Sequence, residues 1–285
     1  MALVITDLDN TLYDWVTYFS QSFTAMLEEL QRLSGVEREV LLDEFRAVHQ
    51  RYHNSEQPYA LLELPSVQRA FAPASREELA KLLDPCLHAF NRERKRTLKP
   101  YPGVVEGLES LVAAGHTLVA YTEAVPINSY YRLVKLDLKK YLRRLYATVG
   151  EPSPEHPDPG RARKLEMEDG FVRPVPREER KPNPQLLLDI CRQEGFPREQ
   201  ALYVGDSLTR DVVMAVEAGV FSVWARYGTD YDPALWATLV RVTHWTAEDV
   251  AREERSRPQA LSTEPSATIR DFREVLELAS RLPVA

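Results

Sequence analysis

The chain has 285 residues, 44% hydrophobic and 28% charged, which suits one large or two ordinary globular domains and excludes a peptide hormone, a bare DNA-binding module, or a disordered or collagenous chain. With 36 basic and 43 acidic residues the formal charge is −7. No global field therefore draws the chain to nucleic acid or anionic membrane, and an anionic ligand needs a local positive site. The first segment, Ala2-Leu3-Val4-Ile5-Thr6, is a short apolar run without a basic leader. Nothing approaches the roughly 18 apolar residues of a membrane span, so a cytoplasmic, soluble protein is expected. Cys86 and Cys191 lie far apart among apolar residues and read as buried thiols of a reducing compartment.

The opening run predicts a strand buried on both faces, as a parallel sheet requires. Residues 15–99 then show helical spacing. Phe19, Phe23, Met26, Leu27, Leu30 and Leu33 form one stripe stopped by Gly35, a C-cap residue. Val40, Leu41, Phe45, Val48 and Tyr52 form a second. Ser75 with Glu78 fits a capping box opening a third helix through Leu79, Leu82, Leu83, Cys86, Leu87 and Phe90. Hinges are expected near Asp14-Trp15 and at Pro100-Tyr101-Pro102-Gly103. Beyond them, strands at 118–121, 202–204 and 220–224 alternate with helices around Leu108 and Leu187. The fold class expected is α/β: a doubly wound, Rossmann-like, mainly parallel core over 1–14 and 100–285, with an all-helical cap inserted at 15–99. Prolines 152, 154, 157, 159, 174 and 176 predict a surface loop over about 151–179. Past Gly228 the pattern weakens: Pro258–Pro265 reads as a linker, Ala267–Ile269 as a short edge strand and 272–278 as a closing helix.

Chemistry-bearing residues follow the apolar runs. The first ends in Asp7-Leu8-Asp9-Asn10-Thr11, the second in Thr122-Glu123 and the third in Gly205-Asp206-Ser207, with Asp211 just beyond. The carboxyl ends of parallel strands line one crevice, so these groups converge. Singly, each has an ordinary reading as a turn or capping residue. A calcium loop is a poor fit, because its sixth position needs glycine and here is Leu12. Carboxylates gathered in one crevice repel unless a cation neutralises them, and Mg2+ with its oxygen ligands suits them. Lys181, in Arg180-Lys181-Pro182-Asn183-Pro184, would supply a point charge for phosphate.

DLDNTLYD at 7–14, YTEA with Thr122, RKPNP with Lys181 and GDSLTRD at 205–211 resemble, in order and spacing, the four motifs of the haloacid dehalogenase-like hydrolase superfamily. The arrangement is similar to members with a helical cap between the first two motifs. The resemblance implies Asp7 as nucleophile and Asp9 as acid and base. Thr122 and Lys181 would act at the phosphoryl group, with Asn10 and Glu123 beside it. It implies Mg2+ held by the Asp7 carboxylate, the Asp9 carbonyl and Asp206, supported by Asp211 and Ser207. Dehalogenases and phosphonatases of the superfamily lack an acid two residues after the nucleophile, so Asp9 favours a phosphate ester. A phosphatase of a small phosphorylated metabolite is expected, ahead of a phosphomutase, a dehalogenase or a non-catalytic binding protein; a homodimer is compatible with it. The long segment before Lys181 departs from the family pattern. Tyr13, Trp15 and Tyr18 are candidates for lining the entrance or for cap core, and Arg92–Arg96 reads as a solvated helix face.

Overall fold

A computed structural model describes residues 1–150 and 166–283. Its strands are β1 (Leu3–Thr6), β2 (Thr117–Thr122), β3 (Arg144–Thr148), β4 (Val172–Val175), β5 (Ala201–Gly205), β6 (Phe221–Ala225) and β7 (Ala267–Ile269). Among the described residues they form one sheet in the order β4-β3-β2-β1-β5-β6-β7, each neighbouring pair parallel. Alternation along β1 explains the two layers: Leu3 and Ile5 enter one apolar cluster with Leu187, Ile190 and Met214, while Val4 enters the other with Leu108 and Leu111. β1 lies between β2 and β5 where the chain reverses its winding, and ligand crevices form at such points.

Between β1 and β2 come α1 (Trp15–Ser34), α2 (Arg38–Tyr52), α3 (Pro65–Ala70), α4 (Arg76–Leu82), α5 (Asp84–Thr97) and α6 (Val104–Ala113). Asp14 accepts from the Thr17 amide to start α1, and Gly35 at φ 68° ends it. Phe19, Phe23, Leu27 and Leu30 are buried as their spacing requires. The Ser75–Glu78 capping box is present. The helix it opens is not continuous, however, because Pro85 starts a second one and the chain breaks at Leu83. Leu82 and Val40 are exposed rather than core residues. The two connections pair with each other: Tyr13 bridges Pro100, and the Tyr101 amide donates to the Leu12 carbonyl at 3.0 Å.

After β2 the chain forms α7 (Pro126–Lys135) and, between β4 and β5, α8 (Pro184–Glu194). β3 was not apparent from hydropathy. The loop expected over 151–179 is partly corrected: 151–165 lie outside the described residues, and 172–175 form β4. Pro174 is tolerated there because β4 is an edge strand, where a missing N–H breaks no ladder bond on the outer side. After β5 and β6 come α9 (Val213–Ala218), α10 (Pro233–Arg241), α11 (Ala247–Ser262) and, past β7, α12 (Val275–Ser280). The linker expected at 258–265 is mostly helix, since α11 runs through Pro258. An internal proline costs about 3 kcal/mol of helix propensity, and side chains from the first half of α11 gripping the core offset it. His49 is buried, its Nδ1 2.7 Å from the Val242 carbonyl, and burial depresses its pKa to about 4. The ring is therefore a neutral tie between α2 and the end of α10. No described helix is long and apolar enough to cross a membrane.

Candidate active site

Strand register sets the site. Thr6 pairs with Ala120 on one side and Val204 on the other, so Asp7, Thr122 and Asp206 all emerge at the carboxyl edge. The Asp7 amide still donates to Val204 O at 2.8 Å, fixing the residue just beyond the strand. Lys181, brought in ahead of α8, places Nζ 2.5 Å from Asp7 Oδ1 and 2.8 Å from Asp211 Oδ1. The ammonium also faces the rings of Tyr121 at 5.0 Å and Tyr203 at 5.4 Å. It is only 5% exposed, and with two carboxylates beside it there is no route to neutrality.

Oxygens of Asp7, Asp206 and Asp211 lie within 4.8 Å of one another. Burial, with Asp211 and Asp9 adding repulsion against the pull of Lys181, pushes Asp7 up to about 7. Burial, then Asp211 and Asp7, raises Asp206 well above the ordinary carboxylate range. Such a cluster favours a bound cation, and an all-oxygen set suits a hard divalent ion. The three acids are not equivalent. Asp211 Oδ1 accepts from Tyr203 and Lys181, and Oδ2 accepts from the Ser207 amide at 3.0 Å. Its lone pairs are largely taken, so it braces the loop, whereas Asp206 has no such side-chain partners among the described residues.

Local backbone makes this approach feasible. A Cβ on Gly205 would stand 2.4 Å from the Asp211 carboxyl, and one on Gly228 would stand 1.9 Å from the Asn10 carbonyl oxygen. Between Gly205 and α9, residues Leu208–Val212 form a π-type turn, and the Val212 amide reaches back to Ser207 O. Such turns recur at functional sites. Ser207 caps it, its hydroxyl accepting from the Arg210 amide at 3.3 Å.

The remaining predicted residues divide. Thr122 is buried at the end of β2, and its hydroxyl accepts from the Ala124 amide at 3.1 Å, leaving its own proton free to donate. Asn10 adopts φ 58°, and its side-chain oxygen accepts from the Trp15 and Val16 amides. That oxygen serves the start of α1, so a phosphate contact would fall to its amide nitrogen. Glu123 pairs with Arg210 at 3.1 Å; a carboxylate cannot donate to phosphate, so only its main chain could. Asp9 meets Arg132 at 3.0 Å. Tyr13 and Tyr18 are fully buried: the Tyr13 hydroxyl accepts from Arg132 and hydrogen-bonds the Asp9 carboxyl, the Tyr18 hydroxyl donates to Glu56, and Trp15 is partly buried and stacks on Phe19. Of the run Arg92–Arg96 expected as a solvated face, the side chains of Arg92 and Arg96 are 73% and 63% exposed, but Arg94 turns inward over the rings of Phe90 and Tyr131.

Sequence reasoning missed two supports. Arg132 of α7 and Glu56, between α2 and α3, pair in the interior above Asp9. The second is α11, which braces the loops carrying Lys181 and Asp206. Asp249 pairs with Arg180, Glu253 accepts from Thr209, and Arg252 donates to the carbonyls of Arg180 and Lys181 at 3.2 and 3.0 Å. The segment before α11 also ties the helical block down, through Ser55 to His244 at 2.9 Å and Gln50 to Trp245 O at 2.8 Å.

The fold is that of a doubly wound α/β enzyme, and the candidate reactive groups lie at the carboxyl ends of parallel strands. The chain belongs to the haloacid dehalogenase-like hydrolases, whose family pattern matches residues 1–219. It is 26% identical over 152 residues to the glyceraldehyde 3-phosphate phosphatase of Methanopyrus kandleri, covering 53% of this chain and 54% of that one. The chain thus spans about half the length of this relative (54%) and 60% of a phosphoglycolate phosphatase of Agrobacterium fabrum, 28% identical over 57% of this chain. A phosphoglycolate phosphatase of Mesorhizobium japonicum is 26% identical over 89% of this chain and 95% of its own. Among solved structures, the 2-haloacid dehalogenase of Pseudomonas syringae pv. Tomato DC3000 superposes with TM-score 0.57 at 20% identity over 99% of each chain. The HAD phosphatase of Thermococcus onnurineus gives 0.50 at 18% over 100% of each. At these identities the structural likeness is one of fold.

Proposed function

We propose that the chain is a Mg2+-dependent phosphomonoester hydrolase for a small phosphorylated metabolite, working through a phosphoryl group on Asp7. The carrying observation is Asp7 itself: a buried carboxylate clamped by Lys181, 4.8 Å or less from Asp206, with a second acid two residues on. The phosphatase names of the curated relatives support the substrate class. The Asp7 and Asp206 carboxylates and the Asp9 carbonyl would hold Mg2+, which when bound offsets phosphoryl charge and orients the group.

Lys181 fixes the Asp7 rotamer and keeps positive charge beside the incoming phosphoryl oxygens. An Asp7 oxygen attacks phosphorus, the ester P–O bond breaks, and Asp9 gives its proton to the leaving alkoxide. Water then attacks the same phosphorus, returns a proton to Asp9 and releases phosphate and the Asp7 carboxylate. Thr122 donates its hydroxyl proton to a phosphoryl oxygen throughout. Residues 15–99 would form a cap over the crevice, excluding bulk water and choosing the leaving group. The remainder of the chain, 1–14 and 100–285, would form the catalytic core.

The test is hydrolysis of a panel of metabolite phosphates and p-nitrophenyl phosphate. Turnover is expected with Mg2+, to vanish with a chelator and to return when Mg2+ is restored. Hydrolysis that persists unchanged after chelation would refute the metal assignment, and halide release from haloacids without metal would replace the reading altogether.

A further inference from the structure

We infer that Arg132 is the positioning residue for Asp9, aiming one of its carboxyl oxygens at the leaving group while Glu56 holds the other arm of the guanidinium. This deepens the function proposed above and rests on Asp9 serving as its acid. Arg132 is fully buried, and its planar fork is divided among three partners. Nε donates to Tyr13 Oη at 2.9 Å, Nη1 binds Glu56, and Nη2 donates to Asp9 Oδ2 at 3.2 Å. Asp9 Oδ1 lies 3.0 Å from Nη2 in ion-pair contact, yet it is buried and makes no hydrogen bond. Both carboxyl oxygens therefore sit on one guanidinium nitrogen, and because Oδ1 is buried while the Asp9 side chain keeps 23% exposure, Oδ2 is the oxygen left to exchange a proton with substrate.

Glu56 is itself fixed, accepting from the Tyr18 hydroxyl at 2.6 Å, while Asn128 of α7 donates to its carbonyl at 3.2 Å. The clamp thus joins α1, the 53–57 segment, α7 and the first motif. Stability does not explain it, because buried ion pairs gain little over apolar packing of equal volume. Anion recognition does not explain it either, since every arm of the guanidinium is already engaged by a protein oxygen.

Leaving-group dependence provides the test, because a phenolate departs without a proton and an alkoxide does not. For Arg132→Lys, kcat/KM is expected to fall at least about tenfold for an alkyl ester such as glycerol 2-phosphate, a part of the roughly 10²–10⁴-fold that a general acid contributes, and less than about threefold for p-nitrophenyl phosphate. Asp9→Asn should show the same selectivity more strongly, and adding Arg132→Lys to it should cost little more, as residues acting through one another do. Glu56→Gln, whose amide still accepts from Tyr18, is the milder variant should Arg132→Lys not fold, and a smaller loss with the same selectivity is expected. Equal losses on both esters, a rise in KM alone, or additive loss in the double variant overturns the role of Arg132. If Asp9→Asn itself fails to discriminate between the esters, or the wild type cleaves neither, the phosphatase reading falls along with this inference.

Discussion

Replacing Asp7 by Asn is expected to leave a folded protein that turns over at least about a thousandfold more slowly, the loss typical of a covalent nucleophile. An amide keeps the carboxylate's shape but cannot form the phosphoryl bond. Stability should survive, because burial already pushes the Asp7 carboxyl up to about 7. A neutral group there escapes that desolvation, and Lys181 keeps Asp211 as its partner at 2.8 Å. Steady-state kinetics beside thermal unfolding checks both halves. Near-normal hydrolysis by this variant removes Asp7 from the mechanism.

Lys181→Met should damage both activity and stability. It deletes a buried cation and leaves Asp7 and Asp211 facing each other between the rings of Tyr121 and Tyr203. Breaking a buried pair by removing one partner costs about 3–5 kcal/mol, or roughly 10 °C in Tm for a chain of this size. Turnover should drop by about a hundredfold or more, as when one electrostatic contact to a transition state is lost. Added Mg2+ should recover part of the lost Tm, and by more than it raises that of the wild type, because a second cation then meets the same carboxylates. A Tm unmoved by the substitution would show that the pair is not closed in solution.

Which parts of this arrangement could be read from sequence follows from how local each signal is. Strands β1, β2, β5 and β6 were visible as apolar runs because both faces are covered. β3 was not, because arginines 143 and 144 interrupt its start and polar Thr148 ends it, leaving an apolar run of only Leu145-Tyr146-Ala147. Pro174 and Pro258 read as breakers; each sits where the lost donor matters less, at a sheet edge or in a helix held by Asp249, Arg252 and Glu253. Asp7, Lys181 and Asp206 were legible because strand ends carry chemistry in a doubly wound sheet. The Arg132–Glu56 clamp was not. Its partners are 76 residues apart, and an arginine three residues before Lys135 on a helix looks solvent-facing until the fold buries it. Asn10 and Glu123 follow the ends of β1 and β2, and their side chains are engaged by the start of α1 and by Arg210.

A nucleophilic Asp7 must carry phosphorus during turnover. Wild-type protein mixed with Mg2+ and a radiolabelled phosphate ester, quenched in acid within the first turnover and digested, should carry its label on the peptide containing Asp7. The label should be alkali-labile and absent from Asp7→Asn. Label on any other peptide, or rapid hydrolysis with no protein-bound phosphate at any quench time, would mean that phosphoryl transfer does not pass through Asp7.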